Sequence, residues 1–444
     1  MGLGRQGDRQ NPMWINCYEM PRSKGHVFYD RLQAILLKNG FDQFAETLCA
    51  SFYAKSRGRR SIPPGRYFRM LLVGYFEGID SERGIEWRCT DSLSLREFLL
   101  LNLDEVVPDH SSLSRIRSRL SLETHGQVFT FVLSLLAKDG LVKGKRLGVD
   151  GSTMEANAAL KAIVRRDTGE GYQEMLTRMA HESGIKTPTA EDLIRLDRQR
   201  KDKKLSNKDW ESPTDPDARI AKMKDGRTRL AYKPEHAVDL DSGAIVAAKI
   251  HHADQGDTST LHKTLDAALG QLEAIGKKPT ETDPCETVCD KGYHSRKVLT
   301  ELDGGVWKSR IAERKAKGLN WWNGDHEARR AVYNNRARIS SGVGKEAARK
   351  RTEFVERSFE HCLDRCGGMR RAWLRGDENV EKRYLIHVTG FNLGLLMRAR
   401  FGVGTPREAA ARGYWCILMR INGIVAIILV VVCEDRIMDH ELAA

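Results

Sequence analysis

The chain lacks any apolar run long enough to cross a bilayer as a helix. Its longest, Ile421 to Cys433, reads INGIVAIILVVVC, and Arg420 interrupts any upstream extension; a spanning helix needs about 20 apolar residues. A buried helix or strand, or a poorly packed tail over 406–444, is expected there instead of an anchor. No secretory signal opens the sequence, and the nine cysteines are odd in number and scattered. Both features predict reduced thiols in a cytosolic protein. The C-x2-C spacing of zinc sites is missing too. Cys285-x3-Cys289 and Cys362-x3-Cys366 lie inside apolar patterns, which favours packed thiols over metal ligands.

What is present is basic charge. Lys and Arg number 73 against 60 Asp and Glu, a net charge of +13 over 444 residues. That excess suits nucleic acid or another polyanion as partner, and the length suits two or three domains. Residues 1–60 read as an N-terminal extension ending in the basic run Lys55 to Arg60. Residues 61–140 read as short helices. Within them, Asp109 to Arg119 (DHSSLSRIRSR) combines capping serines with Arg115, Arg117 and Arg119. Helix N-termini and arginines bind phosphates, so a helix-turn-helix-like DNA contact is expected here.

The stretch ETVCDKGYHS, 286–295, organises the rest. Thr287 to Cys289 is long enough for a buried strand, Asp290 ends it, Lys291-Gly292 turns, and Ser295 can cap a helix carrying Val298, Leu299 and Leu302. Functional groups of open α/β sheets gather at such carboxyl ends. A second strand, GKRLGVD, ends in Asp150. Leu230–Asp239 and Ala244–Ile250, joined by LDSG, predict a hairpin. The element order is strand, hairpin, helix, strand, helix, which describes a mixed sheet flanked by helices. Two charged segments, about 155–229 and 304–350, are expected to be insertions; the second carries Trp307, Trp321 and Trp322 among basic residues, a composition suited to unstacked bases.

Downstream, Val355, Phe359, Cys362 and Cys366 form a helical stripe with Glu356 beside it. Two strand-end aspartates and one helical glutamate are what two-metal phosphoryl transfer requires: hard oxygen ligands for Mg²⁺ or Mn²⁺, with carboxylate charge to offset the ions.

The words LGVDGSTMEANA (147–158), DPDARIAKMKDGRTRLAYKPEHAVDLDSG (215–243), ADQGDT (253–258), CDKGYHS (289–295), VERSFEHC (355–362), GGMRR (367–371) and KRYLIHVTGFNLGLLMR (382–398) resemble the DDE transposases of bacterial insertion sequences. Residues 75–117 resemble the same family's N-terminal helical domain. The group is the one that includes the IS4, IS5 and IS1182 families, with the likeness strongest to IS1182. The resemblance implies an α/β, RNase H-like catalytic domain over 141–405, interrupted by insertions and preceded by an all-α domain. It implies Asp150, Asp290 and Glu356 as the catalytic triad and metal ligands for two Mg²⁺ or Mn²⁺ ions. It further implies a transposase that binds terminal inverted repeats, cleaves DNA and transfers strands, as a homodimer or larger synaptic complex on double-stranded DNA at the nucleoid. The wider group's Y-x2-R-x3-E-x6-K pattern is only partly matched. Tyr333-x2-Arg336 is present, but the glutamate lies far downstream, position 352 is Thr and position 363 is Leu. Glu353 and Glu360 therefore stand as alternatives to Glu356. Lys233, Lys291, Tyr333 and Arg336 join the three arginines as expected DNA contacts. A nuclease without strand transfer and an inactive DNA-binding remnant are the rival functions.

Overall fold

The computed structural model describes residues 26–54, 61–200, 206–223, 225–314 and 322–411. The basic run 55–60, Trp321 and the apolar tail from 412 onward lie outside the described residues.

Among the described residues seven helices come first: α1 (Val27–Lys38), α2 (Phe41–Cys49), α3 (Pro64–Glu77), α4 (Glu82–Asp91), α5 (Leu93–Phe98), α6 (His110–Arg119) and α7 (Leu122–Lys138). Their boundaries follow local chemistry. Pro64 starts α3, where its fixed φ suits the first turn, and Gly78 ends it in the left-handed region at φ 70°. At α6 the cap is Asp109, which accepts the Ser112 N–H and both serine hydroxyls; the serines are its donors rather than caps themselves.

The sheet begins with β1 (Arg146–Gly151) and β2 (Met154–Glu155). A peripheral unit follows, with β3 (Val164–Arg165), α8 (Tyr172–Glu182), α9 (Ala190–Gln199) and β4 (Trp210–Glu211), before β5 (Arg219–Lys222) returns to the main sheet. Next come β6 (Thr228–Asp239), β7 (Ile245–His252), α10 (Asp257–Ala274), β8 (Cys285–Cys289), α11 (Arg296–Leu302), β9 (Trp307–Ile311), α12 (His326–Ser340), α13 (Gly342–Phe359) and α14 (Asp377–Phe401). The central strands run in the order β7-β6-β1-β8-β9, with β6 antiparallel to its neighbours and β1, β8 and β9 mutually parallel. The hairpin expected over 230–250 is β6–β7.

Residues 304–350, expected to project as an insertion, instead contribute the edge strand β9 and two helices that pack on the sheet. Trp307 is buried in the core. The polar look of WKSRI misleads because its partners are internal: Arg310 pairs with Glu286 across β8 at 2.6 Å, and Arg338 of α12 donates to Ser309.

Gly148 lets α13 lie directly on β1. A Cβ there would meet Arg351 Cγ at 3.0 Å and Val355 Cγ2 at 3.1 Å. α14 is the other organising element. It is buried on every side, because its charged residues are partnered internally: Glu381 with Lys249, Lys382 with the Arg117 carbonyl, Arg383 with His387 and the Ile79 carbonyl. It packs against β7, α3 and α7, so one continuous core runs through the helical region and the sheet.

Candidate active site

β1 and β8 are adjacent and parallel, with Val149 opposite Cys289. Asp150 and Asp290, each one residue further along, therefore stand side by side at the carboxyl edge. Side chains alternate across a sheet, and Gly148 and Val288 face α13, so the two aspartates emerge on the face that α13 covers. Asp150 Oδ2 accepts from Arg351 Nη1 at 2.6 Å and Oδ1 from the Gly151 N–H at 2.8 Å. Asp290 Oδ1 accepts from the Gly292 N–H at 2.7 Å, while its Oδ2 makes no hydrogen bond among the described residues. Burial pushes the Asp150 carboxyl above its ordinary range; the Arg351 guanidinium opposes this, and the Asp290 charge adds to it. The edge thus holds two carboxylates against one guanidinium. Each carboxylate keeps a free lone pair on oxygen, the donor chemistry that suits a hard divalent cation.

Glu356 lies on the exposed side of α13, and it has no hydrogen bond or ion pair among the described residues. Phe354 packs on Gly243, at the amino end of β1. Two helical residues span about 200°, so Glu356 lies on the side of α13 away from that contact. The alternatives are already engaged: Glu353 with Arg357 at 2.6 Å and Glu360 with Arg365 at 2.7 Å. A π-helical turn, Glu360–Arg365, directly follows α13, a distortion often found at functional sites.

Among the described residues, a different trio has its ligand atoms within 4.8 Å of one another: Asp217, His252 and Asp377. Its structural task is visible. Asp217 accepts the Asp377 N–H at 3.2 Å and Asp215 the Gly376 N–H at 3.0 Å, so these carboxylates cap α14. His252 reaches this cap from the end of β7.

The expected DNA contacts divide. Arg115 and Arg119 are exposed on α6, Arg115 held by Ser111 at 2.6 Å and Arg119 over the Tyr53 ring at 5.0 Å. Arg117 is not available in the same way: its side chain is 12% exposed and ion-paired with Glu82. Lys233 is also turned inward, bonded to Asp257 at 2.7 Å and Thr260 at 3.0 Å. Lys291 is exposed beside Asp290. Tyr333 is half exposed, with Arg336 5.3 Å and Arg329 5.8 Å from its ring centre, although Arg336 also binds Glu313 through two hydrogen bonds. His236 is buried between Ser358 and Tyr384, and burial drives its imidazole down to about 3, so it serves as a neutral strut. All four cysteines of the two x3 pairs are buried free thiols.

The family model described as "Transposase DDE domain" matches residues 168–391, half of the chain, and "Transposase domain (DUF772)" matches residues 17–119. The chain belongs to the DDE transposases. Their domain implies the RNase H-like fold that the strand order displays, DNA as substrate and the use of a divalent metal. No curated protein and no solved structure matches it. In this transposase, Asp290 and Glu356 fall inside the DDE match and Asp150 lies upstream of it. Asp150 is tied to the site by its place beside Asp290. No helix among the described residues is long and apolar enough to cross a membrane.

Sequence reasoning missed Arg351, the cation on Asp150, and Glu235, a fully buried carboxylate on β6. The visible signal for Glu235 was a Lys and a Glu two apart within the mostly apolar run 230–238.

Proposed function

We propose that this transposase binds the terminal inverted repeats of an insertion sequence, hydrolyses the phosphodiester at each end and joins the freed 3′-hydroxyl to target DNA. The pairing of Asp150 and Asp290 on adjacent strand ends, in a chain of the DDE family, carries the proposal. Asp150, Asp290 and Glu356 would hold two Mg²⁺ or Mn²⁺ ions. Such ions, when bound, activate the attacking oxygen and stabilise the leaving one.

The chain's own residues do the rest. Arg351 orients Asp150 and favours its ionised form, and Glu356, from the same helix α13, would be the third ligand. In the first step water adds to phosphorus as the bond to the 3′-oxygen breaks, leaving a 3′-hydroxyl and a 5′-phosphate. In the second that hydroxyl adds to a target phosphorus and displaces the target's 3′-oxygen. Arg115 and Arg119 bind phosphates of the element end, Lys291 a phosphate beside the reacting one, and Tyr333 with Arg329 and Arg336 offers a stacking surface near a strand end. Two ends must meet, so the working form is a dimer or larger, acting on chromosomal DNA in the cytosol.

The test is incubation with labelled inverted-repeat DNA, a target plasmid and Mg²⁺. Joined product supports the proposal; cleavage alone makes the protein a nuclease, and retention without cutting makes it a DNA-binding remnant. Asp290→Asn should abolish both chemical steps while DNA retention persists.

A further inference from the structure

We infer that Glu235 is a positioning residue for Asp290: from the sheet face opposite α13 it grips the Tyr293 hydroxyl and fixes the turn that carries the second aspartate beside the first. The inference rests on the metal site proposed above.

β6 places Glu235 directly opposite Gly151, one residue past Asp150. His236, the next residue, faces α13 through Ser358, so Glu235 faces α10. There Tyr293 donates to Oε1 at 2.7 Å and Thr260 of α10 to the same oxygen at 2.8 Å, while Thr264 donates to Oε2. Lys233 and His251 stand at 3.7 and 3.6 Å. Burial pushes the Glu235 carboxyl up, but the adjacent His251, the hydrogen bonds from Thr264 and Tyr293 and the Lys233 charge outweigh it and hold the group below its ordinary range. Glu235 is therefore a buried anion with assembled donors.

A buried anion is a poor space filler, since an apolar side chain of similar volume is often neutral or better for stability. Its geometry shows what it holds. Tyr293 is fully buried and sits three residues after Asp290, at the end of a single 3₁₀ turn. Two glycines fit the turn closely to its neighbours, Gly151 beside Lys233 and Gly292 beside Asp257 and Asp290. A Cβ at Gly151 would lie 2.9 Å from Lys233 Cε and 3.6 Å from the Tyr293 hydroxyl. A Cβ at Gly292 would lie 2.3 Å from Asp257 Oδ2 and 2.9 Å from Asp290 Oδ1. The turn is thereby clamped to β6, the strand hydrogen-bonded to the one bearing Asp150. Releasing it frees Asp290 to drift from its partner.

The experiment measures Mn²⁺ binding to the full-length metal-free chain by the electron paramagnetic resonance of free Mn²⁺. Tyr293→Phe, which removes one hydroxyl and keeps the ring, and Glu235→Gln should each weaken Mn²⁺ binding about 10- to 100-fold, the usual effect of removing a partner that orients a metal ligand. The double variant should be no weaker than the weaker single one, and retention of DNA in EDTA should be unchanged. Wild-type Mn²⁺ affinity in Tyr293→Phe, with binding lost in Asp290→Asn, overturns this inference and leaves the metal site standing. Wild-type affinity in Asp290→Asn overturns both. If Glu235→Gln does not fold, Tyr293→Phe decides alone.

Discussion

Arg351→Met removes the only cation bonded to Asp150 among the described residues while keeping most of the side chain's length and apolar stem. The Nη1–Oδ2 contact is 2.6 Å, and the two side chains are 14% and 29% exposed, so screening by water is limited. A hydrogen bond to a charged group of this kind contributes about 1.5–3 kcal/mol. At roughly 2–4 °C per kcal/mol for a domain of this size, the variant should melt about 3–12 °C lower in EDTA near pH 7. Two internal checks follow. Burial raises the folded Asp150 pKa above its unfolded value, and loss of Arg351 raises it further. The variant's deficit is present where Asp150 is ionised and vanishes as falling pH protonates it, so the two melting curves should converge in acid. The deficit should also disappear in an Asp150→Asn background. Mn²⁺ should then restore the variant more than it stabilises wild type, because the ion supplies the charge that the guanidinium had provided; at a hundredfold excess over Kd, binding contributes about 2.7 kcal/mol. Differential scanning calorimetry with and without Mn²⁺ reads all of this. An unchanged melting temperature in EDTA, or equal Mn²⁺ shifts in both proteins, would refute the reasoning.

Three further outcomes are expected. Glu356→Gln should abolish cleavage of labelled end DNA with little change in melting temperature, whereas Glu353→Gln and Glu360→Gln, whose carboxylates pair on the outer face, should still cleave. Arg115→Ala and Arg119→Ala should each weaken DNA retention and lower the slope of log affinity against log salt by about 0.9, while Arg117→Ala should instead lower stability by breaking its pair with Glu82. His236 and His125 are held by burial at about 3 and about 4 against an ordinary 6.5. Their neutral forms are favoured in the fold, so stability is full above pH 6.5 and falls as pH drops toward those values, by up to about 1.4 kcal/mol per pH unit for each histidine. Urea midpoints between pH 7 and 4 should show the fall, and His236→Gln should flatten it.

The strand ends were legible because a strand that stops at a carboxylate before a Lys-Gly turn leaves a local mark, and so did the β6–β7 hairpin and the Ser295 cap, which accepts the Val298 N–H as expected. β9 and α14 were harder because their polar residues are satisfied by distant partners. Glu286 lies 24 residues from Arg310, and Lys249 lies 132 residues from Glu381. Neither pairing leaves a periodic trace. Arg117 and Lys233 looked like phosphate ligands for the same reason: a basic side chain in one dimension does not reveal the acid waiting for it. The third carboxylate stayed open because Glu353, Glu356 and Glu360 share a helix, and only the pairing of the outer two separates them.

α14 has a consequence for synthesis. Among the described residues only a short helical stretch at 406–411 follows it, yet it fills the space between α3, α7 and β7. Those earlier elements leave the ribosome with their apolar faces uncovered and wait for it. At 5–20 residues per second, the stretch from α7 to the end of α14 takes on the order of tens of seconds to make. Once Asp290 has been made, a nascent chain has both aspartates but still lacks the helix that ties the sheet to the helical region, so the competent enzyme arises only after α14 is complete.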